Sequence, residues 1–184
     1  LDNIKTSFSK DLSNFNLIGK MQNGKFIKIN SKGEFEENKY LDISIRKDPD
    51  TDKKILEVYS DFPEPLLSDY SFFKGLSGGK LLYNSSYDEK ISVSNLTIEN
   101  FKVVNAPGFV KLLSLADFSG MADVLSGEGL SFEKLEMNFV KNNEQLTLDE
   151  LYAIGPSISI LLEGYIESKT GLVSLRGTMV PAKN

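Results

Sequence analysis

Apolar and polar residues alternate with a period of two along most of the chain, the pattern of half-buried β-strands. Phe15, Leu17, Gly19 and Met21 lead into Asn23-Gly24, a dipeptide suited to a tight hairpin turn, and Phe26 to Asn30 returns. Leu41, Ile43 and Ile45 alternate with Asp42, Ser44 and Arg46. The loop Lys47 to Lys53 then links them to an answering run from Lys54 to Ser60. That arrangement predicts a second hairpin. Strands are also predicted over Lys80–Tyr87, Lys90–Asn105, Leu130–Phe139, Leu146–Ile154, Ser157–Glu167 and Leu172–Val180. In the second of these, inward parity changes between Val93 and Leu96 and again between Ile98 and Phe101, which predicts two bulges or bends.

Three stretches break the alternation. Pro63 to Leu76 reads as a short helix entered through prolines and closed by Gly75. Pro107 to Leu115 and Asp117 to Ser126 read as two short amphipathic helices, the second with Asp117 as N-cap. Gly78-Gly79 and Gly127-Glu128-Gly129 follow such stretches, where glycine serves as a left-handed cap. A unit of short helix, glycine pair and paired strands thus occurs twice, at about 65–106 and 109–155, the mark of an elongated, repetitive assembly. The fold expected is mainly β with a few short helices, an elongated, curved antiparallel sheet. Residues 1–65 form a hairpin segment, 66–181 the two repeated units plus a last hairpin, and 182–184 a tail.

Composition narrows the chemistry. The 184 residues contain neither Cys nor His. That removes thiol nucleophiles, disulfides, the usual zinc ligands and every imidazole relay. No cofactor is expected and the chain is read as no enzyme. With 21 Lys+Arg against 26 Asp+Glu the net charge is −5 and no basic stripe stands out, which disfavours nucleic acid as a partner. No apolar run approaches the ~20 residues that span a bilayer. The chain opens on Leu1 rather than Met, so a processed product or a fragment is expected.

Two motifs imitate known sites and fail on chemistry. Asp48-Pro49-Asp50-Thr51-Asp52 opens like a calcium loop, but Lys53 stands where that loop needs Gly and Tyr59 where it needs a bidentate Glu. The glycine clusters lie between helix and strand in the reverse order from a dinucleotide fingerprint. The adjacent carboxylates Glu36-Glu37, Asp88-Glu89 and Asp149-Glu150 point to opposite faces of their strands and flank nothing in common. What remains is one apolar face per strand. Periodicity fits equally a closed sandwich or barrel core and a curved sheet whose apolar face stays open.

A resemblance separates the two. The segment Asn105 to Leu135 carries Ala106-Pro107, Leu113-Ser114-Leu115 and Gly127-Glu128-Gly129. Gly155-Pro156-Ser157-Ile158, Gly164-Tyr165-Ile166-Glu167 and Val180-Pro181 follow, and Gly75-Leu76-Ser77-Gly78-Gly79-Lys80-Leu81 precedes. In that order these strings resemble the C-terminal region of the AsmA-like family, in the branch of the YhdP/TamB-related periplasmic proteins of Gram-negative bacteria, over about 66–181. The resemblance implies a parent protein anchored in the inner membrane by an N-terminal helix, with a long β-groove in the periplasm. Its implied work is phospholipid transport towards the outer membrane, in support of outer-membrane biogenesis and cell-envelope integrity. This chain would be a segment of that conduit without the anchor, its partners the acyl chains of phospholipids. The candidate groove residues are Leu130, Phe132, Leu135, Met137, Phe139, Leu146, Leu148, Ile158, Ile160, Leu162, Val173, Leu175 and Met179, some of which must pack beneath the helices at 109–126 instead. The alternative is a structural envelope scaffold or protein-interaction module with a closed β core.

Overall fold

The computed structural model describes residues 3–115, residue 120 and residues 127–182. It contains one antiparallel sheet in which each strand pairs only with its neighbours in sequence, from β1 through β11. The strands are β1 (Asn3–Ile4), β2 (Leu12–Gln22), β3 (Lys25–Glu36), β4 (Lys39–Lys47), β5 (Lys54–Ser60), β6 (Leu76–Tyr87), β7 (Ile91–Val103), β8 (Leu130–Asn142), β9 (Gln145–Ile154), β10 (Ile158–Glu167) and β11 (Val173–Pro181). The first and last strands do not meet, so the sheet is open and curved rather than closed into a barrel. Register shifts between β2 and β3, β3 and β4, β8 and β9, and β9 and β10 supply local bends. β5 pairs with β6 across the boundary at residue 65, so both halves of the chain share the sheet.

The two ends of the sheet differ in chemistry. At one end lie the hairpin turns. Asn23 and Gly24 both take positive φ, 52° and 71°, the requirement of a turn whose twist matches its strands. Asp48 Oδ1 accepts the Asp50 N–H, Asp88 Oδ1 those of Lys90 and Ile91, and Asn142 Oδ1 those of Glu144 and Gln145. Such side-chain-closed turns explain the Asp- and Asn-rich loops, including the one that imitates a calcium site. These backbone donors hold the carboxyls of Asp48 and Asp88 below their ordinary range.

The other end carries the helical crossovers. Pro63 to Leu76 forms not one helix but a single turn, α1 (Glu64–Leu67), and a 3₁₀ turn at Ser71–Phe73. The stretch after β7 forms α2 (Pro107–Leu115), with the predicted bounds. The helix predicted over Asp117–Ser126 lies outside the described residues except at position 120.

The glycine pair corrects one expectation. Gly78 and Gly79 lie inside β6, not at a helix end, with φ of 71° and 92°. A Cβ on Gly79 would stand 2.8 Å from the Glu99 carbonyl oxygen, so β7 runs too close for any side chain there. Across the pair, Asn100 takes φ 55°, and there inward parity changes between Ile98 and Phe101 as predicted. The change predicted between Val93 and Leu96 does not occur. Ser94 is the inward residue, 4% exposed, and Val93 faces out, 49% exposed. The register of β7 with β6 and β8 runs unbroken from Ser92 to Glu99.

The core lies between the inner face of the sheet and the helices. Leu67 of α1 and Phe109 and Leu113 of α2 join Leu76, Ile98, Phe101, Leu130, Phe132, Ile158 and Ile160 in one buried cluster. Phe101 and Phe132 stack at 5.3 Å, and Phe109 meets Phe132 edge-on at 5.9 Å. A smaller cluster of Leu12, Phe35 and Leu41, with Phe8 and Phe62 against it, covers the N-terminal strands.

Candidate functional site

The register lays the inner face out in rows that run across the strands. One row reads Leu41, Ser60, Leu81, Ile98, Leu135, Ala153, Ile160 and Met179. The next reads Ile43, Val58, Tyr83, Leu96, Met137, Leu151 and Leu162. Towards the hairpin turns follows Ile45, Leu56, Ser85, Ser94, Phe139, Leu148, Gly164 and Leu175. The row at the turns is Lys47, Lys54, Tyr87, Ser92, Lys141, Leu146, Ile166 and Val173.

The helices divide this face. Under them Phe72, Phe73 and Phe109 close over Leu135, Leu151, Ile160 and Leu162, leaving a void of only about 30 Å³. A ligand pocket commonly needs roughly 300–1,000 Å³, so this end is filled by the protein's own side chains. Of the predicted groove residues, Leu130, Phe132, Leu135, Leu148, Ile158, Ile160 and Leu162 are buried in the main core. Met137, Phe139, Leu146 and Met179 are half-buried. Val173 and Leu175 are exposed, 52% and 36%, because they stand on the last strand of the sheet, with no strand of the described residues beyond it to flank them. The accessible apolar surface is therefore a trough over the hairpin half of the sheet, not the length of the inner face.

A polar step interrupts that trough. Tyr83 on β6 and Phe139 on β8 stack across the intervening strand, with ring centroids 6.4 Å apart and planes inclined by 23°. Beneath them the Tyr83 hydroxyl lies 3.0 Å from Ser94 Oγ, which donates to Ser85 Oγ at 2.9 Å. Both serines are 4% exposed. A buried hydroxyl is tolerated only with such a partner. The residues predicted from apolar periodicity included Phe139 but omitted Tyr83, Ser85 and Ser94, together with Ile43, Ile45 and Leu56. The signal for Ser94 was its spacing, two residues before Leu96 and four before Ile98, rather than its polarity.

The outer face is polar in the corresponding place. Glu136 Oε2 accepts from the Tyr152 hydroxyl at 2.7 Å and pairs with Lys134 Nζ at 2.9 Å. Asn95 Nδ2 donates to Asn138 Oδ1 at 2.7 Å. The Tyr152 hydroxyl first and the Lys134 ammonium second hold the Glu136 carboxyl below its usual range, and Glu136 in turn raises Lys134. These partners account for the shift, so it marks a structural network rather than a reactive carboxylate. Among the described residues no group of three or more Asp or Glu is placed to hold a metal ion, and no helix is long and apolar enough to cross a membrane.

The fold and face together define an open, curved antiparallel β-sheet with a half-covered apolar trough. Set against protein-family models, curated proteins and solved structures, the chain matches none.

Proposed function

We propose that the chain is a non-enzymatic segment of a periplasmic β-groove, of the kind the AsmA-like resemblance implies, that takes phospholipid acyl chains along its inner face. Its parent is then anchored in the bacterial inner membrane and carries lipid towards the outer membrane. One observation supports this reading above the rest: the sheet is open, and among the described residues the helices cover only one end of an inner face whose half-buried apolar side chains continue towards the hairpin turns. Each methylene removed from water contributes ~0.8 kcal/mol, so a chain lying along Met137, Phe139, Leu146 and Leu56 is held without any bond chemistry. The trough needs no nucleophile, acid or base, which suits a chain without His or Cys.

The test is extraction of the purified chain with organic solvent and mass spectrometry of the extract. Bound phospholipid supports the reading. A lipid-free chain that also fails to take up lipid from vesicles overturns it.

A second reading, an envelope scaffold that recruits protein through sheet edges, draws on β11, whose outer side pairs with no strand among the described residues and whose residues are exposed apart from Met179. It predicts protein partners lost on placing a proline in β11, with lipid content unchanged.

A further inference from the structure

One cleft at the hairpin end is cation-rich in a molecule that is acidic overall. The chain carries a net charge of −5. Yet the open cleft of about 1150 Å³ between the β2–β3, β4–β5 and β6 tips is lined on the inner face by Lys25, Lys47 and Lys54 against one carboxylate, Asp52, while Lys28 and Arg46 border it from positions that alternate to the outer face. Ile29, Ile45 and Tyr87 line the same cleft. It thus joins apolar surface to cations where the trough ends.

The register makes the cation placement costly. Lys47 and Lys54 stand directly opposite each other on β4 and β5, and Tyr87 of β6 follows in the same row. Like charges facing across an antiparallel pair repel. Lys47 has Asp52 Oδ1 at 3.2 Å, but that carboxylate is fully exposed and belongs to the loop tip. The Lys54 ammonium makes no hydrogen bond or ion pair with the described residues, its backbone being taken up in the β-ladder. The other acids of the loop do not line the cleft, and Asp48 is committed to closing its own turn. Two opposed lysines beside an apolar row gain most from an anion whose remainder is hydrocarbon.

We infer that this cleft holds the phosphate of an anionic phospholipid headgroup, with Lys47 and Lys54 as its main cations and the acyl chains running along the trough from Ile45 and Tyr87 towards Phe139. The inference rests on the lipid reading above and adds a headgroup preference to it. Free phosphate esters share the same charge chemistry, so the experiment separates them.

The 184-residue chain is incubated with vesicles of phosphatidylcholine, alone or mixed with phosphatidylglycerol, re-isolated and analysed for bound lipid. Phosphatidylglycerol is expected in excess over its share in the vesicle by about three- to tenfold, the contribution of two exposed ion pairs. The preference shrinks as salt rises. In Lys47→Gln/Lys54→Gln it falls towards one, while Lys169→Gln, in the turn between β10 and β11, keeps it. Equal uptake of both lipids by the unaltered chain, or a preference that survives the double substitution, overturns the headgroup site and leaves the trough standing. Uptake of neither lipid overturns the trough as well. Glycerol phosphate titrated in a calorimeter is expected to bind far more weakly than the lipid. Binding as tight as the lipid's assigns the cleft to a free phosphate ester and overturns the lipid headgroup.

Discussion

The rings of Tyr83 and Phe139 meet 6.4 Å apart over the strand that separates them, and the hydroxyl of Tyr83 reaches down to Ser94. Neighbouring strands lie about 4.8 Å apart, so residues two strands away meet only by leaning inward over β7. The contact roofs Ser85 and Ser94 and sets the floor of the trough. Ser94→Ala removes the middle of the hydroxyl chain and leaves the buried Ser85 and half-buried Tyr83 hydroxyls without that partner, at an expected cost of about 1–2 kcal/mol in urea unfolding. Adding Ser85→Ala costs less than its single effect, since its partner is already gone. Strictly additive losses contradict the chain of hydroxyls.

Burial separates residues that the sequence placed together. Ile160→Ala, in the buried cluster beneath the helices, is expected to destabilise by about 2–5 kcal/mol. Leu146→Gln, half-buried near the turns, is expected to cost under about 1 kcal/mol and to lower the yield of co-purified lipid. Paired measurement of the urea midpoint and lipid content checks both. The division between core and trough is wrong if Leu146→Gln unfolds the chain as Ile160→Ala does.

Two glycines with similar φ respond differently to alanine. At Gly24 a Cβ meets nothing within 4 Å, and only the left-handed backbone opposes it, at about 1–2 kcal/mol. At Gly79 the Cβ also collides with the Glu99 carbonyl, so the loss is expected to exceed that of Gly24→Ala by about 1–3 kcal/mol. Thermal unfolding of both variants gives the difference, and equal melting temperatures would refute the close approach of β6 and β7.

Acid acts through the outer-face network. The folded Glu136 carboxyl titrates below its unfolded value because the Tyr152 hydroxyl and Lys134 favour its charged form. Its contribution is therefore complete above the ordinary unfolded value of about 4.5 and is lost as pH falls through the lower, folded value. Glu136→Gln is expected to lower the melting temperature at pH 7 and to narrow its gap from the parent as pH falls from about 5 to 3. A gap that stays constant over that range removes Glu136 from the network.

Much of the β architecture was legible because alternation is local. A strand with one buried face writes that face into every second residue, so the β4–β5 hairpin and the turn at Asn23-Gly24 follow from the chain itself. α2 was equally legible, opening on Pro107 after a strand. Other features depend on what lies opposite. Gly78-Gly79 follows a helical stretch and looks like a cap, yet it serves a close approach to β7 that involves residues some twenty positions later. Ser94 breaks the apolar pattern, and only a hydroxyl from β6 makes its inward position affordable.

The amino-acid order by itself determined that the chain forms antiparallel strands joined by short turns, and that its chemistry proceeds without thiol or imidazole. Which apolar residues seal against helices and which remain in reach of a ligand was decided only in three dimensions. Period-two alternation records that a residue leaves water, not what replaces the water. For Ile160 it is Phe109 and the rest of the helical cover; for Leu146, at the other end of the same face, no helix of the described residues arrives. The gathering of Lys25, Lys47 and Lys54 at one cleft is likewise a product of register, since these residues lie on three strands and acquire a common field only when the strands align.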